Sequence, residues 1–384
     1  MLFRSKPAWG VLRAGIGVFY QRFLVDDVVL AERENGIRQQ QYAVNDPDFY
    51  PAIPPPDELG PDAQPSIYRI GSRLRAPYIV QQGVSLDKEL FKKLAVSVDY
   101  SFYRGVDQFL VRNVNAPLPG TYNPDDPASG VRPNGTLENI YEYESEGNSK
   151  RNRIYLNVHY RTRPLTLYGV YIFGYSKANT TGTSYIPSNQ YDLHADYGRA
   201  NNDLRNRAYF GGLANLPYKF QFDPLLVIQS SMPFNITTGT DLNGDSQFND
   251  RPAFATDLSR PSVYRTKWGN FDADPLPGQK IIPINYGTGP SFAMLQMLLA
   301  RNFAFGPRIG DSSDAKPGAK AEIARKYQLN LGIEAQNVLN IVNGGPPVGV
   351  LGAPLFGQST SLSTTQFSNP QANRILYLQM NLSF

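Results

Sequence analysis

Strict alternation of apolar and polar residues is the dominant pattern along this chain. It is clearest over residues 326–336, and segments 94–102, 153–161 and 376–384 repeat it. A period of two places successive side chains on opposite faces of a β-strand. Each segment therefore predicts a strand with one apolar and one polar face. Helical periodicity is nearly absent, so the chain is predicted to be all-β.

Ten segments carry this signal. They lie near 9–22, 77–88, 94–110, 153–162, 165–176, 205–214, 221–237, 289–304, 325–339 and 372–384. Several reach the roughly 9–11 residues that a tilted strand needs to cross a bilayer. Long and short gaps alternate between them, as expected of short periplasmic turns and long extracellular loops. The predicted fold is a portion of an antiparallel transmembrane β-barrel with about ten long strands, and only the gap at 305–324 is long for a periplasmic turn.

Aromatic residues recur near the ends of several predicted strands, as expected of the girdles at the two membrane interfaces. They are Phe19, Tyr20, Phe23, Tyr100, Phe102, Tyr103, Tyr171, Phe173, Tyr175, Phe303 and Phe305. Because Tyr and Phe also favour soluble strands, the recurrence supports a membrane fold more than any single cluster does. The chain ends on Phe384, and a C-terminal aromatic after an alternating strand resembles the assembly signal of bacterial outer-membrane barrels.

The amino-acid composition limits the classes of reaction and of metal site that the chain could support. The 384 residues contain no Cys and two His, His159 and His194, which argues against thiol chemistry, thiolate metal sites and histidine-based catalysis. No nucleophile–base pair and no paired carboxylates stand at motif spacing, so no catalytic residue is assigned and no enzyme is expected. The net charge of +4 is small for this length and argues against a nucleic-acid partner.

One acidic segment is the candidate metal site. Asp241, Asn243 and Asp245 place oxygen ligands at positions 1, 3 and 5, as a calcium loop does, and Asp250 adds a carboxylate. However, Gly244 stands at position 4 rather than 6, and no Glu follows at position 12. A Ca²⁺ site with these four ligands stays open, but the departures favour an extracellular turn whose side chains cap their own backbone.

Five polar residues are expected to face the lumen of the predicted barrel. They are His159, Asp99, Arg153, Arg161 and Glu334, which fall on the polar side of their alternating segments. In a full receptor such residues could contact a solute or a plug domain, but the favoured interpretation is that they are solvated wall positions in a wet pore.

Five segments, in order along the chain, resemble the C-terminal barrel of TonB-dependent receptors, with the Oar-like receptors that carry a carboxypeptidase-regulatory-like domain as the closest group. They are VLRAGIGVFYQRF (Val11–Phe23), APYIVQQGVSLDKEL (Ala76–Leu90), DLNGDSQFNDRPAF (Asp241–Phe254), IEAQNVLNIVN (Ile333–Asn343) and NRILYLQMNLSF (Asn373–Phe384). Members of this family are 22-stranded barrels that are occluded by an N-terminal plug and import scarce nutrients with energy delivered through TonB.

The resemblance implies that residues 1–384 are the C-terminal part of such a barrel in the bacterial outer membrane, with the plug, the TonB box and the signal peptide absent. Consistently, Met1–Gly10 lacks the apolar core of a secretory signal. The implied partners are outer-membrane lipid, the plug and remaining strands, the TonB complex indirectly, the barrel-assembly machinery through Phe384, and a small-molecule or oligosaccharide solute.

Two other interpretations stay open. A stand-alone ten-stranded barrel or porin predicts that the first and last strands pair, and the missing signal peptide counts against it. A secreted all-β binding or adhesion protein, such as a carbohydrate-binding sandwich, predicts polar outward strand faces and solubility without detergent.

Overall fold

Ten long strands follow one another along the chain, and we number them in order. The computed structural model describes residues 10–42, 44, 49–59, 63–308, 325–363 and 372–384. The strands are β1 (Val11–Tyr20), β2 (Tyr78–Phe91), β3 (Leu94–Asn113), β4 (Asn139–Arg161), β5 (Leu165–Ala178), β6 (Asn206–Asn215), β7 (Phe220–Gln229), β8 (Phe292–Arg308), β9 (Arg325–Gln336) and β10 (Ile375–Ser383). All ten predicted strands are present, although β4 begins well before its predicted start at 153.

The ten strands form one antiparallel sheet in which every strand pairs with its neighbours in the chain. Three short turns, 92–93, 162–164 and 216–219, join strands at one end. Long loops join them at the other end, at 21–77, 114–138, 179–205, 230–291 and 337–374. The predicted alternation of short turns and long loops is confirmed. The connection between β8 and β9, residues 309–324, lies outside the described residues.

The cross-strand register places most large apolar side chains of the ten strands on one face, and a smaller cluster that includes Val227 and Met294 lies on the other. Val98 stands opposite Leu86 on β2 and Leu156 on β4, and Ile333 stands opposite Leu299 and Leu378. Residues directly opposite share a face of the sheet. Large side chains of this face are open to the surroundings, with Leu378 81% exposed. A continuous exposed apolar face of this size is the surface that a lipid bilayer covers.

The edges of this sheet are β1 and β10. β1 pairs with β2, β10 pairs with β9, and within the described ranges the two edge strands do not pair with each other. The closed ten-stranded barrel predicted by the stand-alone interpretation is therefore not observed. The polar outward faces predicted by the secreted interpretation are also not observed, since the exposed face is apolar.

The long loops add short elements above the sheet. The helix Val25–Arg33 carries Asp26 and Asp27 in its first turn and Arg33 in its last, which complements the helix dipole. Two one-turn helices, Pro56–Glu58 and Pro217–Lys219, are the other helical elements of the described chain. None of the described helices is long and apolar enough to span a membrane.

The remaining strands are short and belong to the long loops. Pro65–Ile70 pairs in parallel with the start of β4 and antiparallel with Gln41–Tyr42. Gly198–Arg199 pairs with the end of β5. The others are Pro233–Phe234, Ala253–Phe254, Val263–Thr266, Gly269–Asp272 and Gly287–Thr288. These pairings tie distant parts of the loops to each other and to the upper ends of the strands.

The loops enclose hydrophobic cores of their own. One contains Phe234, Ile236, Phe271, Ile282 and Leu351, and another contains Ala31, Val111, Tyr141 and Tyr143. Phe23, expected in an aromatic girdle, instead packs on the second core, with its ring centroid 5.1 Å from that of Phe109 and 5.3 Å from that of Tyr143. That expectation is wrong because the chain leaves β1 at Tyr20 and turns into the loop assembly.

Candidate functional site

The five expected lumen residues all lie on the polar face of the sheet. Asp99 stands opposite Tyr155, in the same row as Ser85, and accepts a hydrogen bond from Asn157 Nδ2 at 2.9 Å. Glu334 accepts hydrogen bonds from the side-chain amides of Gln296, Gln336 and Gln379. His159 pairs with Ala95, Arg153 with Ser101, and Arg161 with Thr166. The five residues are spread over three strands, and the hydrogen bonds of Asp99 and Glu334 go to local amides and hydroxyls.

A cavity of about 830 Å³ lies between the long loops. Its wall is built by loops 21–77, 114–138, 179–205 and 230–291 and by the upper end of β4. Five aromatic side chains and four amides line it. They are Tyr68, Tyr122, Tyr141, Phe248 and Tyr264, with Gln41, Gln64, Asn139 and Gln247. The volume falls in the range of about 300–1,000 Å³ that is usual for small-molecule sites.

The charge of this cavity is acidic. Asp125, Asp241 and Asp274 line it, and no Lys, Arg or His stands among its described lining residues. Asp274 is paired with Arg260 at 3.0 Å. Aromatic faces carry negative potential and stack against polarised C–H groups, while amides and carboxylates accept hydrogen bonds from hydroxyls. This lining fits a neutral or cationic polyhydroxylated solute better than an anion.

The acidic loop forms part of the same wall. Asp241 Oδ1 accepts backbone N–H bonds from Gly244 at 2.7 Å and Asp245 at 3.2 Å, and Oδ2 accepts one from Ser246 at 2.8 Å. Asp250 Oδ2 accepts the N–H of Leu242 at 2.8 Å. These hydrogen bonds are those of a turn whose side chains cap its own backbone. The sequence favoured this capped turn over a Ca²⁺ site.

The other two loop residues reach outward to neighbouring loops. Asp245 Oδ2 accepts a hydrogen bond from Gln190 Nε2 at 2.8 Å. Asn243 Nδ2 donates to the Ser188 carbonyl at 2.8 Å and to Asp250 Oδ1 at 3.1 Å. The four candidate ligands are therefore held in one compact loop, but no three Asp, Glu or His side chains of the described chain converge as a metal-binding group. The Ca²⁺ site stays a prediction.

Burial changes the acidity of this loop. It raises the pKa of Asp241, and burial together with the Asp241 charge raises the pKa of Asp245 well above its usual value. Burial also raises the pKa of Asp250 to about 7, although the N–H of Leu242 opposes this shift. Desolvation is the largest cause of each shift because burial disfavours the charged form of a carboxyl group. Burial therefore favours the protonated forms of these carboxyl groups.

Arg132 fastens the acidic loop to two others. Its guanidinium donates to the Asn115 carbonyl at 3.0 Å, to Gln64 Oε1 at 2.8 Å and to the Gly244 carbonyl at 2.9 Å. Burial lowers the pKa of Arg132, while Asp241 opposes this shift. Arg132 thus stabilises the residues of the cavity wall without lining the cavity itself.

The sequence did not reveal the aromatic lining of the cavity. Tyr68, Tyr122, Phe248 and Tyr264 lie in loops rich in Pro, Gly, Asn and Asp, where no periodicity shows which side chains meet. The only available signal was the presence of aromatic residues in such polar loops. His194 lies in loop 179–205, as expected, and lines a different cavity.

The apolar outer face and the alternating turn lengths define the class of protein: a strand-built integral protein of the bacterial outer membrane. Residues 9–376 match the family described as outer membrane beta barrel domain, and the chain belongs to this family. No curated protein matches it in sequence.

Several solved structures are similar to this chain. The outer membrane transporter YddB from Escherichia coli is 12% identical with a TM-score of 0.50, over 97% of this chain and 38% of that one. The FrpB iron transporter from Neisseria meningitidis is 10% identical with a TM-score of 0.40, over 83% and 33%. The copper transporter OprC is 9% identical with a TM-score of 0.41, over 99% and 38%. The chain therefore matches 33–38% of the length of these transporters. The likeness to YddB concerns the fold.

Proposed function

We propose that this chain is the C-terminal barrel portion of a TonB-dependent receptor of the Oar-like group, which imports a scarce nutrient. The open sheet carries this proposal. In hydrocarbon, the backbone N–H and C=O groups along the free edges of β1 and β10 have no water to bond, so further strands must cover them. The match to 38% of the YddB chain is consistent with a piece of a wider barrel.

The proposed role is binding and passage of a solute without chemical change. The cavity between the loops lies on the extracellular side, since the long loops of outer-membrane barrels face outward. Its aromatic, amide and carboxylate lining favours a neutral oligosaccharide over an anionic metal chelate, which would require cations in the wall.

The first test is the size of the native product. An antibody against residues 325–384 should detect, in an outer-membrane fraction, a heat-modifiable band well above 42.8 kDa. A band near 42.8 kDa that shifts on boiling would contradict the proposal, because it would mean a small autonomous barrel.

The second test is uptake. Cells producing the receptor should deplete a defined mixture of neutral oligosaccharides, and loss of TonB should abolish this depletion. The double variant Tyr68→Ala/Tyr264→Ala removes two cavity faces and should raise the half-saturating concentration about tenfold or more, since a stacked aromatic contributes about 0.5–1.5 kcal/mol. Tyr218→Ala, in turn 216–219, is the matched control. Uptake that survives loss of TonB would refute the transport mechanism.

A further inference from the structure

Four cations stand side by side across the sheet. In the cross-strand register Arg104 lies opposite Lys150, Lys150 opposite Lys177, and Lys177 opposite Arg199. Residues directly opposite share a face, so these side chains form one row across β3, β4, β5 and the short strand Gly198–Arg199. We call them the cationic row.

The row lies on the lipid-facing side, at the outer boundary of the membrane. Phe102 and Tyr175, two residues below it on β3 and β5, belong to the apolar face and stand opposite Asn152. Leu94–Tyr103 separates Arg104 from the turn at 92–93, and this length matches the roughly 9–11 residues that cross a bilayer. The row is therefore at the height of the outer headgroups, directly above aromatic side chains.

Like charges placed directly opposite one another destabilise a sheet unless a counter-charge is present. Arg199 has one, since its Nε lies 2.9 Å from Asp203 Oδ2. Lys150 Nζ lies 5.6 Å from the centroid of the Phe102 ring. In the described part of the chain Arg104, Lys150 and Lys177 form no ion pair, and all three are exposed. Three cations thus lack an anion at a membrane surface.

A cavity of about 530 Å³ adjoins the row. Arg104 and Lys150 line it together with Phe102, His194 and Tyr197, and Glu146 is its one acidic lining residue. The cations and the cavity are placed for the anionic, sugar-bearing head of a lipid whose acyl chains would lie along the apolar face below.

We propose that the cationic row binds the phosphate groups of a phosphorylated glycolipid in the outer leaflet. Clustered Lys and Arg at a membrane surface recognise anionic headgroups, and guanidinium groups bind phosphate oxygens in a bidentate manner. A phosphate-rich head supplies the counter-charge that the row lacks, and the aromatic side chains below it face the start of the acyl chains. Because the row needs only the outer-membrane location, this inference does not depend on the transported solute.

The test compares two triple variants of the protein as extracted from outer membranes in detergent. Arg104→Gln/Lys150→Gln/Lys177→Gln removes three charges from the row. Lys92→Gln/Lys93→Gln/Arg163→Gln removes three from turns 92–93 and 162–164, at the opposite membrane boundary. Affinity for bisphosphorylated lipid A, measured by native mass spectrometry and by thermal shift, should fall on the order of a hundredfold in the row variant. Each cation near an anionic surface contributes about a fivefold gain. The control should retain wild-type affinity.

Equal losses of affinity in both variants, or undiminished binding in the row variant, would overturn the proposal. So would binding of dephosphorylated lipid A to the wild-type protein with the same affinity as the bisphosphorylated lipid. Saturation of the row by micromolar inorganic phosphate alone would overturn it as well. Heat-modifiability checks that each variant is assembled. Should the triple variant fail to assemble, the single variant Lys177→Gln is expected to lose about fivefold, and an unchanged affinity there would equally refute the proposal.

Discussion

The membrane-spanning sheet exposes large apolar side chains on its outer face, whereas the loop assembly above it buries charged and polar side chains beside its hydrophobic cores. On the sheet, large apolar side chains such as Leu378 and Met380 are mostly exposed. In the loops, charged and polar groups are buried, among them Asp196, Arg251 and Asp245. The usual association of apolar residues with the interior therefore fails on the outer face of the sheet, and the loops bury polar groups beside their hydrophobic cores.

The difference follows from the medium that each region meets. Lipid is as apolar as leucine, so an exposed apolar face carries no cost there, while every backbone group must be paired within the sheet. The loops meet water and contain long irregular segments, so their backbone groups need side-chain partners. Buried carboxylates, amides and guanidinium groups supply these partners. Each region should therefore respond to a different kind of substitution.

The largest effect is expected from breaking the buried ion pair of the loops. Arg251 Nη2 lies 2.8 Å from Asp196 Oδ1, and their side chains are 2% and 1% exposed. Asp196→Ala leaves a buried charge without its partner, which typically costs about 3–5 kcal/mol. Hydrogen exchange and limited proteolysis should show opened loops, while the sheet stays heat-modifiable.

Asp192→Ala is the matched control, because Asp192 is exposed and accepts a local N–H bond from His194 at 3.0 Å. Simultaneous loss of the sheet in the Asp196 variant would contradict the division into two independent regions.

The next effect concerns the lipid face. Leu156 lies midway between the cationic row and the turn at 162–164, so Leu156→Arg should destabilise the assembled protein by about 2–4 kcal/mol. Asn157→Arg, one residue on, points to the polar face beside Asp99 and should change stability by less than about 1 kcal/mol. Denaturant unfolding of the native product in lipid vesicles measures both. Equal losses of stability in the two variants would mean that both faces of the sheet contact the same medium.

The smallest expected effect is the pH dependence of the acidic loop. Because the folded-state pKa of Asp250 is raised to about 7, the stabilisation by its protonated form is fully present below pH 4 and is lost as the pH rises through 7. The loop should lose about 2 kcal/mol of local stability between pH 5 and 8. Asp250→Asn should flatten most of this profile, with Asp241 and Asp245 leaving a residual slope. Hydrogen exchange at the loop amides provides the measurement.

The same experiment distinguishes the two interpretations of the loop. A bound Ca²⁺ would hold the carboxylates ionised, so millimolar calcium, but not magnesium, would flatten the wild-type profile. A profile that calcium leaves unchanged supports the capped turn. A wild-type profile that rises with pH would contradict the cause assigned to the shift, which is desolvation of the carboxylate.

The sheet could be predicted from the sequence because its pattern is local. A strand that spans a membrane repeats the same alternation whatever its neighbours are, so β9 and β10 were recognisable residue by residue. The predicted start of β4 was too late because its upper part, Asn139–Asn152, rises above the membrane. There the loops cover it, and residues such as Ile140 and Tyr141 are buried consecutively.

The loop assembly could not be predicted because its contacts join distant parts of the chain. Asp245 and Gln190, or Arg132 and Gln64, come together only after several loops have folded. No spacing rule links such pairs, and the helix Val25–Arg33 is too short to show a period. The acidic loop was found from sequence because its four residues lie within one turn, whereas the aromatic cavity drew its wall from four loops.

Arg132 links three of the long loops so closely that one of them cannot be exchanged without the others. One guanidinium holds oxygen atoms from loops 21–77, 114–138 and 230–291. Transplanting only one of these loops would leave a hydrogen-bond donor of Arg132 without its acceptor, and the transplanted loop would lack this anchor. The three loops form one module for grafting, and a successful exchange would have to move them together.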